Sequence, residues 1–218
     1  MFRRFLRSVI SAFHHFGKRV SRSSFKRFLH PQIGSVKTGI LLNIGCGNKI
    51  YQSFTLAKEI RLDLFFYSTL HIRSDAHILP FMNDLFEGVL MEEVLEHCHD
   101  PRDVIDEVFR TLKPGGRLIL TVPFLFPIHD EPHDYYRFTE FGLQHLLRRF
   151  SICSVTARQS GYASCVVLFE RLIKEKPWTY FAPIIVIMAY FALLLDPLMS
   201  RILRLKTYVS GYFVLAVK

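Results

Sequence analysis

One stretch constrains this chain more than any other: Leu41-Leu42-Asn43-Ile44-Gly45-Cys46-Gly47-Asn48. Its first half is largely apolar and reads as a buried strand. It then breaks into two glycines one residue apart. Glycine tolerates left-handed backbone and carries no Cβ, so Gly45-Cys46-Gly47 predicts a tight turn that a ligand can approach closely. In an open α/β sheet such a turn lies at the carboxyl end of the first strand, where ligands bind.

The segments that follow alternate in character. Ile40–Ile44 predicts the first strand and Ile50–Lys58 a short helical or irregular link. Ile60–Asp63 predicts a second strand ending on an acid, and His71–Asp75 a weaker third, also ending on an acid. Phe86–Met91 predicts the fourth. Asp103–Leu112 predicts a helix with Val104, Ile105, Val108 and Leu112 on one face. Lys113-Pro114-Gly115-Gly116 predicts a turn, and Arg117–Val122 the fifth strand. Thr139–Arg149 reads as a helix, Ser151–Ala157 as strand six and Val209–Val217 as the strand that closes the sheet. The expected fold class is α/β: a Rossmann-like open sheet, mostly parallel with a final antiparallel strand, flanked by helices. With 218 residues the chain is long enough for one domain with a sizeable core and some extra segments.

The acids take meaning from that layout. Asp63 ends the strand after the glycine turn, where a carboxylate can accept both hydroxyls of a ribose. An acid at a strand end is also commonly a cap or a solvated loop residue. The run Gly45-Cys46-Gly47-Asn48-Lys49-Ile50 lacks the third glycine of the dinucleotide fingerprint. A pyrophosphate on a helix N-terminus, and with it a nicotinamide-dependent reductase, is therefore disfavoured. A nucleoside ligand without phosphate remains compatible.

The net charge of +9 is unevenly placed. Residues 1–58 hold eleven Lys/Arg and no acid, whereas residues 59–218 hold 17 Lys/Arg against 19 Asp/Glu. Within residues 1–35, Phe2, Phe5, Leu6, Val9, Ile10, Phe13, Phe16 and Val20 recur at helical spacing, with Arg3, Arg4, Arg7, Lys18, Arg19 and Arg22 mostly on other sides. This predicts a basic amphipathic N-terminal helix suited to an anionic membrane surface. Packing on the body, a basic tail and an organelle transit peptide are its rivals. Nucleic-acid binding is disfavoured, because no recognisable module follows the arm. Residues 36–218 would form the main domain, with a hydrophobic helical insertion over 176–205. Within it Tyr180–Leu195 runs sixteen residues without a charge, short of the ~20 apolar residues of a spanning helix. A single crossing would also strand Val209–Val217 on the far side of the bilayer from the rest of its sheet. The segment therefore reads as a buried helix, a homodimer contact or a shallow membrane insertion. Cys46, Cys98, Cys153 and Cys165 show no paired spacing, which suits reduced thiols in the cytoplasm.

Several stretches, taken in order, resemble a known family: Leu42-Asn43-Ile44-Gly45-Cys46-Gly47; Asp63; Asp75-Ala76-His77-Ile78-Leu79-Pro80-Phe81; Glu93-Val94-Leu95-Glu96-His97 with Asp100-Pro101; and Leu112-Lys113-Pro114-Gly115-Gly116-Arg117-Leu118. Together they look like the class I S-adenosylmethionine-dependent methyltransferases of the small-molecule type. His129-Asp130-Glu131-Pro132-His133-Asp134-Tyr135-Tyr136-Arg137-Phe138-Thr139 resembles a subgroup whose loop after strand five reads H-x-x-P-x-D-Y-Y-R-[FY]-T. The resemblance implies S-adenosyl-L-methionine as cofactor and a small-molecule or lipid-like acceptor. Gly45 and Gly47 would line the methionine end and Asp63 would hold the ribose. Asp75 and Ala76 would sit by the adenine, and Met91 and Glu92 would flank the methionine moiety. Asn43 stands where the family usually has an acid near the cofactor's amino group, and brings no charge. That departure sustains a second reading, a membrane-associated binding or scaffold protein on a degenerate methyltransferase fold.

Methyl transfer asks a protein mainly to align donor and acceptor and to exclude water, and a hydroxyl or amine acceptor must also lose a proton. His129 is the expected base or substrate contact, with Tyr136 and Arg137 as substrate-positioning groups. Against this, Asp134 and Arg137 could pair simply to brace the loop. His97-Cys98-His99, with His129 and His133 as further candidate ligands, fits no standard zinc spacing, so no metal is expected. Peripheral attachment of a cytoplasmic enzyme to the membrane is the expected location.

Overall fold

A computed structural model describes residue 8, residue 11 and residues 23–159, 161–173, 178–203 and 208–218. Most of the predicted amphipathic helix lies outside the described residues. Its far end, residues 23–34, is helical and is designated α1. Leu29 and Ile33 lie one turn apart on one face of α1 and are buried, as is Val36, while Phe28 stacks on Phe213 with ring centroids 4.5 Å apart. This end of the segment therefore packs into the main body instead of forming part of a separate arm.

Seven strands form one sheet: β1 (Ile40–Ile44), β2 (Lys58–Asp63), β3 (Ile72–Arg73), β4 (Phe86–Glu92), β5 (Leu112–Pro123), β6 (Ile152–Ala157) and β7 (Gly211–Val217), in the order β3-β2-β1-β4-β5-β7-β6. The first five are mutually parallel, with Leu42 opposite Ile60 and Val89, and Val89 opposite Leu118. β7 is antiparallel to its neighbours: the Lys218 amide donates to the Gly116 carbonyl at 3.0 Å and the Ser151 amide to the Val217 carbonyl at 2.8 Å, while Arg158 pairs with Gly211. Leu41, Leu42, Ile44, Val89, Leu90, Met91, Leu118, Ile119 and Leu120 are wholly buried, as expected of parallel strands covered on both faces.

Among the described residues four α-helices follow α1: α2 (Pro101–Thr111), α3 (Glu140–Leu146), α4 (Tyr162–Leu172) and α5 (Ala182–Leu203). Asp100 caps α2 by accepting from the Arg102 and Asp103 amides, and Thr139 caps α3 by accepting from the Gly142 amide at 3.0 Å. The predicted turn at Lys113–Gly116 is instead a bulge inside β5. Phe86 faces Leu112 and Gly88 faces Arg117, so five steps on β5 match two on β4. Gly115, at φ +77°, lets the backbone make that excursion, and its amide donates to the Lys218 carbonyl at 2.9 Å. α4 has no counterpart among the expected elements, and α5 lies within the expected helical insertion over 176–205 and runs through Asp196-Pro197.

The chain divides into two compact units. The larger holds residues 27–124, 128–156 and 212–218, and with them almost the whole sheet. The smaller holds residues 1–26, 125–127 and 157–211. Within the smaller unit Val166 and Ile173 pack against Ala182, Ile185 and Ala189 of α5. The two alanines let the helices approach closely. The opposite face of α5 exposes Ile184, Ile187, Met188, Phe191 and Leu194. Among the described residues no helix is long and apolar enough to cross a membrane.

Candidate active site

The first five strands of the sheet bring the chemistry-bearing residues to one place, their shared carboxyl edge. Gly45 (φ +64°) and Gly47 (φ +51°) both take the left-handed conformation. A Cβ on Gly45 would fall 2.3 Å from Val94 Cγ2, so this glycine permits close approach of the segment after β4. A Cβ on Gly47 would meet nothing within 4 Å, so open space lies beside it. Asp63, at the end of β2 and only 7% exposed, accepts from the Gly47 amide through Oδ2 at 2.9 Å and from the Phe65 amide through Oδ1 at 3.0 Å. Each carboxylate oxygen has two lone pairs, so these bonds leave acceptor capacity for the two hydroxyls of a ribose.

Asn43 is buried, and its Nδ2 donates to Glu59 Oε1 at 2.9 Å. Glu59, equally buried on β2, also accepts from the Tyr51 amide at 3.0 Å and pairs with Arg61 Nη1 at 3.4 Å. A buried carboxylate thus lies beside Asn43 on the neighbouring strand, engaged by Asn43, the Tyr51 amide and Arg61. Glu92 ends β4 and holds Lys49 Nζ at 2.9 Å and the Tyr51 hydroxyl. Burial, then the charge of Glu92, raise the Tyr51 pKa, so the phenol stays protonated and donates. Met91 is fully buried opposite Ile44 and Leu120, so only its backbone can border a ligand. Asp75 accepts from the His77 amide at 2.9 Å and sits 2.6 Å from His77 Nδ1. Burial alone would raise its pKa, but the hydrogen bonds from His77 outweigh that and lower it. Asp75 therefore shapes the turn that carries Ala76.

The loop after β5 is strapped down from below. The Tyr135 and Tyr136 amides donate to the Glu96 carbonyl at 2.9 and 3.2 Å, and the Tyr136 hydroxyl donates to the His99 carbonyl at 3.0 Å. Arg137 grips Asp134 with both ends of its fork, Nη1 to Oδ1 at 2.6 Å and Nη2 to Oδ2 at 2.7 Å. Asp134 Oδ2 also accepts from the His129 amide at 2.9 Å and lies 3.4 Å from His129 Nδ1. The Arg137 hydrogen bonds hold the Asp134 pKa down to about 2 against the effect of burial. In this structure Arg137 braces Asp134, and Asp134 orients His129.

Two further side chains, Glu96 and His97, lie beside His129. The Glu96 side chain is fully buried, and His97 Nε2 lies 3.7 Å from Glu96 Oε1. The His97 and His129 rings meet edge to face with centroids 4.8 Å apart. Both Glu96 and His97 lie in a 3₁₀ turn, Leu95–His97, and not at the start of the next helix, which begins at Pro101. Because the turn interrupts any periodicity, the sequence shows no sign that Glu96 is buried.

Comparison with known proteins bears on this geometry. Residues 42–120 match the methyltransferase domain family. The ubiquinone/menaquinone biosynthesis C-methyltransferase UbiE of Pasteurella multocida is 34% identical over 73 residues, which are 34% of this chain and 27% of that protein. The demethylmenaquinone methyltransferase of Clavibacter sepedonicus is 41% identical over 49 residues, 22% of this chain and 20% of that protein. The chain thus spans about a quarter of these relatives' length. Among solved structures, a SAM-dependent methyltransferase from Archaeoglobus fulgidus superimposes with a TM-score of 0.58 at 15% identity, covering 93% of this chain and 94% of that one. A Haemonchus contortus phosphoethanolamine N-methyltransferase 2, solved with S-adenosylhomocysteine, gives 0.56 at 18% identity over 91% of this chain and 52% of that one. The [4+2]-cyclase SpnF gives 0.58 at 16% identity over 91% of this chain and 81% of that one. The chain therefore has the Rossmann-like fold of solved S-adenosylmethionine-dependent methyltransferases, and residues 42–120 are similar to the methyltransferase domain family.

Proposed function

We propose that this chain is an S-adenosylmethionine-dependent methyltransferase acting on a small-molecule or membrane-associated acceptor. The observation that carries the reading is the Asp63 carboxylate clamped to the Gly47 amide at the carboxyl edge of β1 and β2, beside open space. That cradle suits a ligand with a ribose and no phosphate. Asp63 holds the ribose hydroxyls, Gly45 and Gly47 border the methionine moiety, Asp75 and Ala76 the adenine, and Glu92 offers a carboxylate at the amino-acid end. When bound, S-adenosylmethionine supplies an electrophilic methyl group on a sulfonium. His129 meets the acceptor as base or substrate contact, held by Asp134, which Arg137 braces. Tyr136, partly exposed and fixed through its hydroxyl, positions the acceptor.

Relatives named for ubiquinone/menaquinone biosynthesis, and a structural neighbour bound to phosphomonomethylethanolamine, support a small-molecule acceptor. The apolar outer face of α5 and the acid-free basic N-terminal sequence support attachment to an anionic bilayer surface. A homodimer through the α5 face is the rival occupant. Asn43 and the cyclase among the structural neighbours favour a second reading, a methyltransferase fold that does not transfer methyl groups. Calorimetric titration with S-adenosylmethionine and S-adenosylhomocysteine separates the readings: micromolar binding of both supports the enzyme, and no binding by folded protein overturns it.

A further inference from the structure

The strapped loop does more than aim His129: it assembles a ligand set that the local spacing of His97-Cys98-His99 does not show. Glu96, His97 and His129 each offer one donor atom, and the three atoms lie within 4.8 Å of one another. In both imidazoles it is Nδ1 that faces an outer acceptor. His97 Nδ1 lies 2.7 Å from the His133 carbonyl, which only accepts, so Nδ1 carries the proton and Nε2 the lone pair. His129 Nδ1 faces ionised Asp134 at 3.4 Å, which likewise puts its lone pair on Nε2. An outer carbonyl or carboxylate on the far nitrogen is how proteins set the tautomer of a metal-bound histidine. The third ligand, Glu96, is a fully buried carboxylate.

We propose that Glu96, His97 and His129 bind a divalent cation of the zinc type. Two imidazoles and one carboxylate suit borderline metals and leave a coordination position open for water or an oxygen of the acceptor. On the methyltransferase reading above, which this deepens, His129 then contacts the acceptor through the cation, and the acceptor class is a hydroxyl-bearing compound. The charges facing the set are mixed. Asp130 Oδ2 lies 4.0 Å from His97 Nε2, and Arg137, committed to Asp134, adds an opposing charge that Glu96, Glu93 and Asp134 offset. A tetrahedral ion with bonds of roughly 2.1 Å needs donor atoms roughly 3.4 Å apart. His97 and Glu96 are already at 3.7 Å, so the remaining adjustment falls mainly on the His129 side.

The test is titration of the chelator-stripped full chain with Co2+, followed by ligand-field absorption, and with Zn2+, followed by metal content after gel filtration. One equivalent is expected to bind, with affinity falling by more than the roughly 10- to 100-fold cost of losing an outer hydrogen-bond partner in His97→Ala, His129→Ala and Glu96→Gln, and unchanged in His145→Ala, a histidine on α3 outside the set. No stoichiometric uptake, or uptake unaffected by both histidine changes, overturns the inference. His129→Ala lies in a loop, so it remains informative if Glu96→Gln fails to fold. S-adenosylhomocysteine binding by the same samples keeps the two readings apart. Nucleoside binding without metal sinks only the cation site, whereas metal uptake without nucleoside binding sinks only the cofactor reading.

Discussion

The Asp63 carboxylate accepts a hydrogen bond from the Gly47 amide at 2.9 Å, joining the end of the second strand to the turn after the first. One side chain therefore shapes the cradle and, on the proposed function, also meets the ribose. Hydrogen bonds to a charged group are worth about 1.5–3 kcal/mol each, so losing two ribose bonds weakens binding by about 100-fold or more. Asp63→Ala is expected to lose that much affinity for S-adenosylhomocysteine in calorimetry. Asp63→Asn, which keeps one acceptor oxygen, is expected to lose less. Equal affinities in all three proteins would remove Asp63 from the site.

Gly45 and Gly47 make opposite predictions although both have positive φ. A methyl on Gly45 drives into Val94, so Gly45→Ala is expected to cost about 1–3 kcal/mol of stability. At Gly47 only the left-handed backbone opposes alanine, a cost of about 1–2 kcal/mol, while the new methyl intrudes on the open space beside the turn. Gly47→Ala should therefore stay folded and lose cofactor affinity. Denaturant unfolding alongside calorimetry checks both, and a Gly47→Ala protein that binds normally would contradict the placement of the ligand.

Asp134 makes stability depend on pH at the acid end. Its folded pKa, about 2, lies below its unfolded value near 3.8. Its contribution is therefore fully present above about pH 4 and is lost as pH falls towards 2; a shift of nearly two units corresponds to on the order of 2 kcal/mol. Asp134→Asn should lack that contribution at pH 7 and show a flatter stability profile between pH 4 and pH 2. The same variant, like Arg137→Lys, should lower turnover without changing affinity for S-adenosylhomocysteine, because both residues act through His129. A lowered cofactor affinity would mean that the brace supports the whole cleft.

Ile184, Ile187, Met188, Phe191 and Leu194 form an exposed apolar stripe along α5. If a bilayer covers it, the pair Ile187→Glu and Phe191→Glu should reduce co-sedimentation with anionic vesicles at least several-fold and leave S-adenosylhomocysteine binding intact. Unchanged sedimentation, together with a shift from dimer to monomer in gel filtration, would assign the stripe to a second copy of the chain.

Much of the larger unit is legible in the sequence, because its strands are apolar runs punctuated by glycine, proline or a terminal acid. Ile40–Ile44 was expected at its observed bounds, and Asp63 and the glycine turn fell where the strand order requires. The site's connections were less legible. Asn43 is short of a charge only in one dimension, since Glu59, sixteen residues on, lies beside it through the register of β1 and β2. Glu96 and His129 are 33 positions apart and meet because β4 and β5 are neighbours. Arg137 has the residue type of a substrate contact, and only the bidentate geometry on Asp134 shows that it is engaged in bracing the loop. α4 is masked in sequence by a mixture of small and apolar residues, Tyr162-Ala163-Ser164-Cys165-Val166-Val167, that gives no clean period.

The most direct measurement is a crystal structure of the full chain grown with saturating S-adenosylhomocysteine. The expected result is the ribose hydroxyls on the Asp63 carboxylate, the homocysteine tail along Gly45–Gly47 towards Glu92, the adenine beside Asp75-Ala76, and the sulfur facing His129. Density for the nucleoside elsewhere in the molecule, or an unoccupied cleft above Gly47 in saturated crystals, would contradict it.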